Sequence, residues 1–133
     1  MANALMDNLS FPSSLEYTLS KTVQPEDTAS RYGSGLLDVL ATPAMIAFIE
    51  QTCHSAIQPY LSAKLSSVGT EVNIRHVKAT PVGDTIICVA RLVSVEGRKL
   101  VFAVSASDSK GLIGEGTHTR YIIDIEKFMA KLG

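Results

Sequence analysis

Three side chains in this sequence are of the types that acid–base chemistry needs: Thr42, Glu50 and His76. Thr42 and Glu50 lie in ATPAMIAFIEQTCHSAI, residues 41–57, where Met45, Ile46, Ile49, Cys53, Ala56, Ile57 and Tyr60 recur at helical spacing. At about 100° per residue counted from Thr42, the apolar stripe lies within roughly 60° either side and Glu50 falls about 80° round, on its shoulder. A carboxylate there is either a half-buried acid with a shifted pKa or a surface group whose stem covers the edge of the stripe. Thr42 before Pro43 reads as an N-cap followed by a first-turn proline. The same hydroxyl stands beside unpaired N–H groups and the positive end of the helix dipole, where a developing oxyanion is stabilised. His76 closes an alternating run in which Val68, Thr70, Val72 and Ile74 share its face and Glu71, Asn73 and Arg75 take the other. An imidazole on an apolar face is a satisfied core histidine or, facing the helix, a general acid or base.

The other polar candidates are weaker. His54 lies further round the helix and reads as solvated. In GEGTHTRYIIDI, His118 and Arg120 alternate against Thr119, Tyr121, Ile123 and Ile125, so the pair reads as the wet side of a strand. Gly114 and Gly116 point to a bulge or a close backbone approach. Three histidines and two cysteines at these separations match no metal-site spacing, so no metal is expected. Cys53 and Cys88 sit in apolar segments and read as reduced, buried packing residues.

The elements that must position these groups follow from pattern and punctuation. Residues 1–13 read as an irregular segment and 14–133 as a single domain. Leu15, Tyr17 and Leu19 alternate as a first strand, and QPEDTASRYGSG is a surface loop rich in turn formers. One long helix follows, ended or kinked at Pro59. Beyond residue 67 come four strand-like runs separated by turn signals at 81–84, 96–97 and 109–111, which read as four consecutive antiparallel strands. One strand, one long helix and four strands make an α+β hotdog arrangement, a sheet of about five strands wrapped around a helix. Such a sheet leaves an edge and apolar margins exposed, so a homodimer, with room for higher association, is expected.

With 133 residues, 46% hydrophobic, the chain suits one domain with a real core. A net charge of −1 without a basic run argues against nucleic acid as a partner. No stretch reaches the roughly 18 apolar residues of a membrane span, and MANALMDNLSFPSS lacks the pattern of a signal peptide. A cytoplasmic protein without membrane association is expected.

Several segments together resemble a known family, the small hotdog-fold acyl-CoA thioesterases similar to fluoroacetyl-CoA thioesterase. The likeness runs from about Leu15 to the C-terminus and is strongest in SVEGRKL, GEGTHTR and IEKFMAK, with ATPAMIAFIE and GTEVNIRHVKATP also fitting. The resemblance implies hydrolysis of a small acyl-CoA thioester to free acid and CoA, with coenzyme A part of the substrate and no separate cofactor. It implies Thr42, Glu50 and His76 as the catalytic set and Gly69 as the glycine opening the following strand. His76 would be the general acid/base, Glu50 the nucleophile or water activator, and Thr42 the group that positions and shares their protons. Leu36, within the aliphatic stretch GSGLLDVLA, and Arg120, with Arg31, Lys78, Arg98 and Lys99, are candidates for holding acyl group and CoA. In that stretch the fluoroacetyl-specific enzyme carries phenylalanines, so the resemblance implies the chemistry more firmly than the acyl group. A protein that binds acyl-CoA without cleaving it, or a hotdog dehydratase or hydratase, would use the same cleft.

Overall fold

Alternating apolar residues place five strands in the computed structural model, which describes residues 9–133. Strand β1 is Glu16–Thr22, β2 Leu65–His76, β3 Thr85–Glu96, β4 Lys99–Asp108 and β5 Gly111–Asp124. Helix α1 is Ala29–Tyr32, α2 Thr42–Ile57 and α3 Ile125–Ala130. Pro59 acts as a terminator: α2 stops at Ile57 and Gln58–Tyr60 forms a 3₁₀ turn. All strand pairs are antiparallel, in the order β1-β3-β4-β5-β2. Helix α2 buries Met45, Ile49, Cys53 and Ile57 completely in one core with inward side chains such as Cys88, Phe102 and Ile122. At roughly 25 cal/mol per Å² of apolar surface, this packing is the main force that seats α2 on the sheet.

Three sequence expectations are corrected. Turn signals separate strands but do not choose their neighbours: β2 and β3 do not pair, and β2 lies outermost against β5. The segment read as a surface loop holds a 3₁₀ turn at Pro25–Asp27 and helix α1, with Asp27 and Thr28 buried. The face shared by Val68, Thr70, Val72, Ile74 and His76 does not exist as one face, because the β2–β5 register shifts between Gly69 and Glu71. One extra residue in a strand reverses the phase of everything after it. Before the shift Leu65 and Ser67 are buried; after it Ile74 packs on the core and His76 is half-buried. Of the irregular segment 1–13, residues 1–8 lie outside the described residues. Leu9 and Phe11 have no regular structure yet pack on the core, with Phe11 edge-on to Tyr60 at 6.2 Å between ring centroids.

The glycine reading holds in both forms. The β4–β5 register shifts beside Gly114, and a Cβ on Gly116 would lie 2.0 Å from the Asn73 carbonyl oxygen. Beyond His76, the chain from Val77 to Thr80 is tied down at several points. Val77 N–H donates to Ile113, the Thr80 carbonyl accepts from Leu40 N–H, and Asp108 accepts from Lys78 Nζ at 2.5 Å and Thr80 Oγ1 at 2.9 Å.

Burial by itself would raise the Asp108 carboxyl, but bonds from Lys78, the Lys110 N–H and Thr80 outweigh it and hold the pKa at about 2, against an ordinary 3.8. A folded-state pKa below the unfolded value stabilises the fold above the unfolded pKa, and that contribution disappears as pH falls through the folded one. The stability difference between wild type and Asp108→Asn in urea titrations is therefore expected to be constant at neutral pH and to shrink between pH 3.8 and about 2.

Candidate active site

Thr42 is the first residue of α2, and the cap preceding it is Ala41, with no side-chain capping bond. The reading of Thr42 as N-cap is thus corrected by one position, and the shift frees its hydroxyl. Thr42 Oγ1 lies 2.9 Å from His76 Nδ1, joining the helix start to the end of β2 across 34 residues of sequence. Both line a cleft of about 340 Å³, walled by Ala29, Ser34, Val39 and Leu40 on one side and by Val77–Ala79 on the other. Bridges between Thr28 and Leu40 and between Val39 and Pro81 hold these walls together. Burial pushes the His76 imidazole below its ordinary 6.5, opposed by the Lys78 backbone, so the ring is neutral near pH 7. Its Nε2 is buried and has no hydrogen-bond partner among the described residues.

Glu50 is elsewhere. It lies eight residues further along α2, about 12 Å at 1.5 Å per residue, and one chain does not bring it to the Thr42–His76 pair. Its side chain is 40% exposed, and Oε2 is 3.6 Å from Arg120 Nη1 and 3.8 Å from His118 Nε2. Gly69 faces the same carboxylate, since a Cβ there would lie 2.5 Å from Oε2. The expectation that His118 and Arg120 form the wet side of β5 is overturned: they are 1% and 7% exposed. They pair across the sheet with Phe102 and Leu100, which fixes their face as the inner one. Sequence reasoning passed over this polar cluster, yet Ile122 continues the same phase and is fully buried, the one signal that the face is internal. Ser67, also buried, accepts from Arg120 Nε at 2.8 Å.

Of the remaining candidates, Leu36 is 94% exposed and does not line the cleft, although its neighbour Val39 does. Lys78 is engaged by Asp108, and Arg120 is too buried to meet a solvent-borne phosphate. His54 is half-buried, its pKa lowered by burial and by Arg120. Cys53 and Cys88 are buried and unpaired. Burial and then its neighbour Cys88 push the Cys53 thiol to about 12, and burial also raises Cys88. No group of three potential metal ligands occurs among the described residues.

A family model described as fluoroacetyl-CoA-specific thioesterase matches residues 23–126. The chain belongs to the fluoroacetyl-CoA-specific thioesterase family. Fluoroacetyl-CoA thioesterase of Streptantibioticus cattleyicolor is 45% identical over 95 residues, 71% of this chain and 68% of that protein. The structure of the fluoroacetyl-CoA thioesterase FlK superposes with a TM-score of 0.88 at 37% identity, covering 92% of this chain and 96% of FlK. A variant of FlK in complex with fluoroacetate and CoA matches with a TM-score of 0.84 at 37% identity over 89% of this chain and 99% of that one. As a member of this family the chain is an acyl-CoA thioesterase with the α+β hotdog fold.

Gly69→Ala tests how closely the carboxylate is held. The added Cβ would also lie 3.0 Å from the buried His118 ring, so thermal stability is expected to fall modestly. Displacing the Glu50 carboxylate is expected to lower kcat by on the order of 10²-fold, the cost of a misplacement of about 1 Å at a working site.

Proposed function

We propose that this enzyme hydrolyses a small acyl-CoA thioester to free acid and CoA at a site completed by two copies of the chain. Thr42 and His76 come from one copy and Glu50 from the other. The observation that carries the reading is the Thr42–His76 hydrogen bond at the start of α2. When the Thr42 hydroxyl donates to Nδ1, the ring proton of a neutral His76 sits on Nε2. That N–H is buried and unpartnered among the described residues, and a carboxylate is the acceptor that would complete a hydroxyl–imidazole–carboxylate set. Glu50 is partly exposed, and β2 is an edge strand with Val72 41% exposed, so antiparallel pairing of two β2 edges would cover apolar surface and bring the two helices together.

In this site His76 takes the proton from the attacking oxygen, either Thr42 Oγ1 or a water held by it, as that oxygen bonds to the thioester carbonyl carbon. Negative charge gathers on the carbonyl oxygen, beside first-turn amides of α2 that lack intrahelical acceptors. Collapse breaks the carbon–sulfur bond, and His76 returns the proton to the sulfur. Direct attack by water gives the acid at once; attack by Thr42 gives an acyl ester that water cleaves by the same proton path. The aliphatic wall of the cleft at Val39 and Leu40 supports a small, uncharged acyl group. Reduced, unpaired Cys53 and Cys88 support a cytoplasmic setting.

Thiol release from short, branched, aromatic and fluorinated acyl-CoAs tests the reaction. Wild type is expected to cleave at least one, while Glu50→Gln and His76→Ala remain folded and turn over at least about 10²-fold more slowly. Unchanged turnover in both variants would sink the mechanism. Co-folding the two inactive variants tests the shared site: a mixed dimer carries one intact and one doubly defective site, so a statistical mixture recovers about a quarter of wild-type activity. No recovery would place all three groups in one chain.

A further inference from the structure

One imidazole in the inner cluster is not used by the hydrolysis as described. His118 Nδ1 lies 2.8 Å from the carbonyl oxygen of Glu71, an atom that can only accept, so Nδ1 carries a proton. Its Nε2 lies 3.1 Å from Arg120 Nη1, a group that can only donate, so Nε2 offers a lone pair. One protonation state satisfies both contacts, the neutral ring with hydrogen on Nδ1. A second proton would set two N–H groups against each other. The rest of the guanidinium is held by Ser67, through Nε to the hydroxyl at 2.8 Å and Nη2 to the carbonyl at 3.1 Å. Nη1, the nitrogen that His118 grips, is the one that faces Glu50.

We propose that His118 is a positioning residue: its unprotonated Nε2 fixes the Arg120 guanidinium against Glu50 and so sets the place of the carboxylate that the reaction uses. This rests on the reading of Glu50 as the carboxylate partner of His76. The Glu71 carbonyl is available to His118 because of the register shift between Gly69 and Glu71 in β2, so the same irregularity presents Gly69 to Glu50 and orients the imidazole behind it. The charged groups facing the ring are Arg120 on its own strand and Glu50 from α2, Oε2 being 3.8 Å from Nε2. From β2 the ring meets the backbone of Glu71, whose carboxylate accepts from Thr119, and it lies against Gly69. His54, one turn beyond Glu50, feels Arg120 as well. Burial first, and then Arg120, lower the His118 pKa, in keeping with a ring that stays neutral.

Two substitutions in the whole protein separate positioning from packing. His118→Gln can place an acceptor near the Nε2 position, whereas His118→Asn keeps a donor for Glu71 and loses that acceptor. For His118→Asn, kcat is expected to drop roughly tenfold or more, as Arg120 loses the contact that holds it against Glu50. His118→Gln is expected to restore most of it. Equal losses in the two variants that track their melting temperatures would overturn the proposal. Should both variants misfold, Ser67→Ala removes the other side-chain anchor of Arg120 and is expected to lower kcat the same way; an unchanged kcat there also overturns it. Nitrogen NMR of the free wild-type protein supplies a readout apart from activity. The Nδ1–H tautomer is expected to persist below pH 6.5, and an Nε2–H tautomer or ordinary titration near that value would overturn the proposal in an active thioesterase. A wild type with the expected tautomer that cleaves no thioester would instead remove the functional reading, and the role with it.

Discussion

The site depends on one irregularity, the extra residue in β2 between Gly69 and Glu71. A strand of twelve residues has two faces, and a regular one that buries Leu65 and Ser67 would send His76 to the outside. The shift reverses the phase midway, so the first half of β2 lies over Glu50 and the second half delivers His76 to the start of α2. It also leaves a glycine where the carboxylate comes closest and turns a backbone carbonyl toward His118. Two separated polar groupings therefore have a single structural origin.

What the sequence disclosed and what it concealed divide along physical lines. Apolar alternation and turn residues marked every strand, and the spacing of Met45, Ile49, Cys53 and Ile57 marked the one long helix, because burial imposes those periods directly. Strand order did not show, since β2 could have paired with either β3 or β5 on pattern alone. The bulge was hidden by Thr70, a good strand residue that interrupts nothing visible in the alternation. His118 and Arg120 were misplaced because charge in a strand normally means water; here Ser67, Glu71 and Glu50 provide what water would have supplied. Thr42 was assigned to the right place with the wrong job: a cap hydroxyl would be spent on the helix, whereas at the first helical position it is free for His76.

The two groupings behave differently toward solvent. Thr42 is exposed at the mouth of its cleft while its imidazole partner is half-buried, which leaves the hydroxyl open to solvent beside a ring that is already neutral. The Arg120 cluster is sealed beneath Glu50, and in such surroundings hydrogen bonds are stiff and a lost partner is costly. One end of α2 thus opens onto the cleft, and its middle carries a carboxylate beside a buried guanidinium.

The two cysteines have a consequence for an enzyme of this kind. Each turnover liberates a free thiol in the presence of unreacted thioester, conditions under which an accessible thiolate would capture the acyl group or exchange with the product. Cys53 and Cys88 stay protonated and shut away between helix and sheet, the former with its pKa pushed up to about 12. The protein thus handles activated sulfur without offering any of its own as a competing acceptor.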